Sequence, residues 1–148
     1  AGYDIKLWRE KVAELLPQLE RDAIREAGAV PATIALMSGR IHIGLDDSAL
    51  HLLATKDGQP IGSARILLDG DTGKIGRVCV LPQARGTGLG AALIRAALDV
   101  LRVQPGITRA KLGAQTHALG FYEKLGFTAY GPVYDDAGIP HRDMTRDL

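Results

Sequence analysis

Two kinds of hydrophobic spacing divide the chain. From about Leu7 to Ala27 the apolar residues Leu7, Val12, Leu15, Leu16, Leu19, Ala23 and Ile24 recur at roughly helical intervals, with Pro17 dividing the segment and Gly28 and Pro31 closing it. From His51 the pattern changes to short apolar runs, His51–Ala54, Ile61–Leu68 and Ile75–Leu81. Lys56-Asp57-Gly58-Gln59-Pro60 and Asp69-Gly70-Asp71-Thr72-Gly73 separate these runs, which predicts an antiparallel meander of three strands. The second turn is acidic, but Gly73 takes the third ligand position of an EF-hand loop and Val80 stands where its bidentate Glu would be, so it reads as a plain turn.

After Pro82 the spacing becomes helical again. Leu89, Ala92, Leu93, Ala96, Ala97, Val100 and Leu101 form one stripe, Arg95, Asp99 and Arg102 share the opposite face, and Pro105-Gly106 ends the helix. A strand at Ala110–Ala114 and a small helix over 117–125 follow, the latter with the stripe Ala118, Phe121, Tyr122 and Leu125 and with Gly126 placed to cap it. A strand at Thr128–Tyr130, a turn at Asp135-Asp136-Ala137-Gly138 and a final strand at His141–Thr145 complete the reading.

Composition narrows the class. The 148 residues are 46% hydrophobic and 24% charged, without repeats or low-complexity tracts, which predicts one domain over 1–148. Eighteen Lys and Arg against 17 Asp and Glu give a net charge of +1, so no overall field would draw the chain to nucleic acid or an anionic membrane. The run Ala91–Val103 is too short and too charged to span a bilayer, and Ala1-Gly2-Tyr3-Asp4 does not begin a secretory signal, so a cytoplasmic location is expected. One Cys, and four His without paired ligand spacing, argue against a metal site. Cys79, inside an apolar strand, is expected to be buried core, and His51 a satisfied strand residue. Asp46-Asp47 and Asp135-Asp136 are most simply solvated turns, although a cationic amine could use either pair.

The chemistry concentrates where a strand passes through Pro82 and Gln83-Ala84-Arg85-Gly86-Thr87-Gly88-Leu89-Gly90 into a helix. Backbone N–H groups and the positive end of the helix dipole converge there on one point that favours an anion. Gly86, Gly88 and Gly90 allow close approach of a phosphate, and Arg85 can add a charge-assisted hydrogen bond. A Walker loop is excluded because no Lys-Ser or Lys-Thr pair follows the last glycine. The dinucleotide fingerprint is met by Gly86-x-Gly88-x-x-Ala91 but lacks its context, since the preceding strand belongs to a meander and no strand ending in an acidic residue appears about 20 residues on. A glycine-rich turn that binds nothing is the remaining alternative on the loop alone.

Gln83-x-x-Gly86-x-Gly88 resembles the pyrophosphate-binding motif of the GCN5-related N-acetyltransferases, and Phe121-Tyr122-Glu123-Lys124-Leu125-Gly126-Phe127 resembles their C-terminal motif. Ile75–Val80, Leu112–His117, and Gly138–His141 with Met144 are similar to the ElaA-type subgroup. His51–Ala54 resembles its second strand, but its acidic, aromatic substrate-side segment has no counterpart in Ala27–Ile43. The resemblance implies a mixed, mostly antiparallel twisted sheet with helices on both faces, the α/β fold of the acyl-coenzyme A N-acyltransferases. It also implies transfer of an acetyl group from acetyl coenzyme A to a primary amine of a small molecule or protein by direct attack, with no metal; a homodimer stays open.

In that setting the backbone of Val78, Cys79 and Val80 would hold the pantetheine arm, and the N–H of Val80 would face the thioester oxygen. Gln83, Arg85, Gly86, Thr87, Gly88, Leu89 and Gly90 would cradle the pyrophosphate, and Gln115 stands where many relatives place a coenzyme-contacting Asn. Tyr122 is the candidate acid for the departing thiolate, the alternative being that it merely fills the apolar stripe. Many relatives carry a strand Glu where this chain has Gly76, so no general base is carried over. His117 and His141 are candidate substrate contacts, and a water relay or an already neutral amine could replace a base. The rival function is an acyl-coenzyme A binding or sensing module that lost turnover.

Overall fold

The computed structural model describes residues 23–26, 33–38 and 49–148. Its strands are β1 (Ala23–Glu26), β2 (Thr33–Ser38), β3 (Leu50–Lys56), β4 (Gln59–Asp69), β5 (Thr72–Val80), β6 (Arg109–Gln115), β7 (Thr128–Asp136) and β8 (Ile139–Asp147). They form one sheet in the order β1-β2-β3-β4-β5-β6-β8-β7. Every neighbouring pair is antiparallel except β5 and β6, which run parallel. The crossover between those two is the helix α1 (Leu89–Arg102), as a parallel connection requires. A short 3-10 turn (Thr116–Ala118) leads into α2 (Leu119–Glu123) between β6 and β7.

The meander and the crossover follow the hydrophobic pattern. Leu89, Leu93, Ile94, Leu98 and Leu101 are buried on α1, each contributing about 1.5–3 kcal/mol of burial. The sheet meets this face with Leu52, Ala54, Ala64, Ile66 and Ile75, and two glycines let the helix come close. A Cβ at Gly73 would lie 2.1 Å from Cδ2 of Leu101, and one at Gly62 would lie 3.2 Å from both Leu89 and Leu93. Arg95, Asp99 and Arg102 face outward, with Asp99 and Arg102 ion-paired at 3.0 Å.

Four elements depart from expectation. Ala23–Glu26, assigned above to the end of a helix, is strand β1, paired antiparallel with β2. Its composition suits a helix, but pairing with a neighbour decides between weak local preferences. The rest of the expected N-terminal helix, with Pro17, Gly28 and Pro31, lies outside the described residues, as do Asp46 and Asp47.

The C-terminal strands are longer than their apolar cores. β7 and β8 pair from Thr128↔Thr145 to Asp136↔Ile139, interrupted where Tyr130↔Asp143 is followed by Tyr134↔His141. Gly131 and Pro132 fall in that bulge, and an edge strand tolerates the missing N–H of Pro132.

The small helix is also shorter than expected, because its first turn is 3-10. Its end is a Schellman cap in which the amides of Gly126 and Phe127 donate to the carbonyls of Glu123 (3.0 Å) and Tyr122 (3.1 Å). Gly126, with φ +89, takes the left-handed position that this cap needs.

Candidate active site

The parallel pair is short. β5 and β6 are joined only at Thr72–Lys74 against Arg109–Lys111, and beyond that point the strands separate. β5 also carries one extra residue there: Arg65↔Gly76 is followed by Ser63↔Cys79, with Arg77 at φ +51. Such a bulge bends its strand and breaks the ladder locally. A cleft of about 700 Å³ opens in the gap, with Gly76 and Val78 on one wall, Gln115 on the other and Tyr122 at its lining.

The backbone at the end of β5 faces this gap. The amide of Leu81 donates to the carbonyl of Ile61 on β4 at 2.9 Å. Polar groups alternate sides along a strand, so the N–H and C=O of Val80 point away from β4, toward the opening. The Val80 carbonyl there accepts from Nε of Arg85 at 3.2 Å, which ties the glycine loop to the strand.

The loop itself is exposed from Arg85 to Gly88. It begins as a 3-10 turn at Pro82–Ala84 and is braced by Oγ1 of Thr87 donating to the carbonyl of Ala84 at 2.5 Å. Gly88 is the N-cap of α1 in the left-handed conformation, φ +86, and no side chain among the described residues caps the helix. The first amides of α1 therefore have no side-chain acceptor among the described residues, the condition under which a helix N-terminus takes an anion. Leu89 is turned into the core while Gly90 faces α2, where its Cβ position lies 3.5 Å from Cζ of Phe121 and 4.0 Å from Cγ2 of Val80.

Phe121 is thus not a core residue of its small helix. It is 40% exposed and sits beside Gly90, with Tyr122 edge-on to it at 4.9 Å. Tyr122 is half-buried and also edge-on to Phe127 at 6.1 Å. Burial pushes its phenol pKa up from the ordinary value of 10.0, so the hydroxyl stays protonated at neutral pH and acts as a hydrogen-bond donor.

The two candidate histidines separate. His141 lines the cleft, its Nδ1–H donating to the carbonyl of Ile139 at 2.8 Å, and its ring stacks on Tyr134 at 5.9 Å. That bond leaves Nε2 as the lone-pair nitrogen of the neutral ring. His117 is exposed and lies beside the cleft, its Nε2 2.5 Å from Oε1 of Gln115. Cys79 is half-buried at the strand end rather than sealed in the core, because β6 has separated from β5 beyond Lys74, and His51 is a buried residue of β3.

Of the acidic pair that the sequence offers to a cationic amine, Asp135 serves its turn, accepting from the amide of Gly138 at 3.2 Å, while Asp136 lines the cleft. Other cleft residues escaped the sequence reading. Tyr134 reaches from the edge strand across β8 to donate to Oδ1 of Asp143 at 2.9 Å. It passes so close to Gly113 that a Cβ there would lie 2.5 Å from the Tyr134 hydroxyl. Burial, followed by the Asp143 carboxylate, pushes the Tyr134 phenol up to about 12. Arg65, Lys74 and Arg77 also line the cleft. Cross-strand register brings these residues together, and only the alternation of Lys74 and Gly76 around Ile75 could have signalled it.

Comparison with known proteins agrees with this architecture. A family model described as an acetyltransferase (GNAT) domain matches residues 15–148. Protein ElaA of Escherichia coli is 35% identical over 101 residues, 66% of this chain and 66% of its own length. The ElaA crystal structure superposes with a TM-score of 0.64 at 34% identity, over 70% of this chain and 74% of that one. An acyl-CoA N-acyltransferase from Pseudomonas aeruginosa superposes with a TM-score of 0.66 at 32% identity, covering 93% of this chain and 91% of the other. With an uncapped glycine loop after a bulged, splayed strand and these relatives, the chain belongs to the GNAT acetyltransferase family, in its ElaA-like branch, and has the acyl-CoA N-acyltransferase fold.

Proposed function

We propose that this protein transfers an acetyl group from acetyl coenzyme A to a primary amine by direct attack within a ternary complex. The observation that carries the reading is the combination of the open β5 edge at Val80 with the uncapped, exposed N-terminus of α1. A peptide-like pantetheine arm would add to Val78–Val80 as a strand does, and Gln83–Gly90 would take the pyrophosphate on backbone amides with Arg85 beside them. Gln115 and the neighbouring His117 form one wall of the entrance.

Acetyl coenzyme A supplies an activated carbonyl joined to a good leaving group. The chain's task is to hold that carbonyl and the amine together, the source of most of the rate in such a transfer. The amide of Val80 is oriented to donate to the thioester oxygen as the C–N bond forms and the C–S bond breaks. Tyr122 donates toward the departing sulfur. Reference values of about 10 for a phenol and about 8.5 for a thiol make complete proton transfer uphill, and burial raises the phenol further, so Tyr122 acts chiefly as a hydrogen-bond donor. The amine's proton leaves through water or through Nε2 of His141, a residue that lines the cleft.

Release of free thiol from acetyl coenzyme A, followed across a panel of primary amines, tests this directly. Amine-dependent release is expected. Tight coenzyme binding with no release on any amine would favour a sensing module over an enzyme.

A further inference from the structure

The cleft has two ends of different chemistry. Gly73 and Ile75 on β5 point to α1, so Lys74 and Gly76 project from the opposite face of the sheet. Ala110, Leu112 and Ala114 of β6 are likewise buried on the α1 side, so Gly113 and Gln115 face the other way. The cleft therefore passes through the gap between β5 and β6, from Tyr122 on the helix side to a chamber on the far side of the sheet. The glycine loop, at the N-terminus of α1, belongs to the helix side, which leaves the far chamber to the acceptor.

Among the described residues, the charged side chains that line that chamber are mostly cationic. Arg65, Lys74 and Arg77 line it, and among the described residues Asp136 is the one carboxylate that does. Gly76 leaves room in this wall: among the described residues, a Cβ there would meet within 4 Å only Nη2 of Arg65, at 3.9 Å. Arg65 is the cross-strand partner of Gly76, so its guanidinium lies over the notch that the missing side chain leaves. Lys74 is exposed two residues away on the same face and has no ion-pair partner among the described residues.

From this geometry we propose that the acceptor is an amine bearing a carboxylate, which docks in the Gly76 notch against Arg65, with Lys74 beside it. The proposal rests on the acyl-transfer reading and deepens it by naming the acceptor class. A guanidinium suits this task because its planar donors match a carboxylate, and an ion pair shielded by cleft walls is stronger than one in open solvent.

The test uses acceptor pairs that differ only in the carboxylate: L-phenylalanine against phenethylamine, L-methionine against 3-(methylthio)propylamine, and L-leucine against 3-methylbutylamine. With saturating acetyl coenzyme A, kcat/KM for thiol release should favour the α-carboxylate member of at least one pair by about 10- to 100-fold, the worth of a charged hydrogen bond. Gly76→Glu fills the notch with a competing carboxylate and should abolish that preference while acetyl coenzyme A affinity, which also reports folding, is unchanged. Lys74→Gln should reduce the preference by a smaller factor.

Calorimetric binding of the N-acetyl derivatives of the same pairs to the coenzyme A-saturated protein gives a readout independent of turnover. Preferential binding of the N-acetyl amino acids, weakened in Gly76→Glu, would support the notch even without measurable release. Equal or better use and binding of the carboxylate-free members, or a preference that survives Gly76→Glu, would overturn it. Failure of the acyl-transfer reading is distinguishable, since it appears as absent coenzyme binding or absent thiol release with every amine.

Discussion

The two ends of β5 use the same backbone for opposite purposes. At Thr72–Lys74 the strand is paired on both sides and pressed so closely against α1 that Gly73 has no space for a side chain. At Arg77–Val80 it has lost its β6 partner, carries a bulge and turns the N–H and C=O of Val80 toward an open cleft. Where the ladder is complete the strand builds the fold, and where it is interrupted the freed polar groups can recognise a ligand. The energetic consequence is that substitutions at the paired end should damage stability, and those at the open end should damage binding and turnover.

The largest separation is expected from Gly73→Val. Its added carbon atoms have no room beside Leu101, so the variant should lose about 3 kcal/mol or more of stability in denaturant unfolding, the upper range for overpacking. Gly88→Asp, at the open end, should fold but bind acetyl coenzyme A about 100-fold more weakly, because it places bulk and negative charge where the loop and the helix dipole favour an anion. Near-normal coenzyme affinity in that variant would displace the phosphate site from the loop.

Tyr122→Phe should sharpen the contrast by sparing both stability and coenzyme affinity. Its turnover should fall about 10- to 100-fold, as expected for removing a hydrogen bond to developing charge. Because burial raises the Tyr122 pKa above 10.0, its donor form persists through neutral and mildly alkaline pH. Loss of the donor, and of the stability that the neutral phenol contributes, should begin only as pH rises beyond 10. A fall in kcat assignable to Tyr122 and centred between pH 7 and 9 would contradict this. The smallest effect is expected outside the cleft lining, where Nη1 of Arg146 donates to the carbonyl of Leu125 at 2.6 Å. Arg146→Met should cost about 1 kcal/mol of stability, at the low end for such a bond, and leave coenzyme affinity intact.

Legibility in the sequence follows the same division. The meander, α1 and the Gly126 cap could be read because each depends on local signals: alternation, turn residues, a helical stripe and a left-handed glycine. The glycine loop and Tyr122 were visible as motifs. Ala23–Glu26 misled because four residues of helical composition pair with β2. The acceptor side of the cleft was largely hidden: Asp136 showed only as half of an acidic turn, and Arg65, Lys74 and Tyr134 come from three strands that only the register across β4, β5, β6, β8 and β7 brings together. Gly76 shows the limit best. In sequence it is a missing carboxylate; in the fold it is a notch with a guanidinium above it.

The most direct test is calorimetric titration of acetyl coenzyme A into the wild-type protein and Gly88→Asp, with dephospho-coenzyme A and NADH as controls. If the open end of β5 and the uncapped helix hold the coenzyme, the wild type should bind acetyl coenzyme A selectively over NADH, and the variant should lose most of that affinity. Absence of binding by the wild type, or equal binding by both proteins, would contradict the assignment of this end of the molecule.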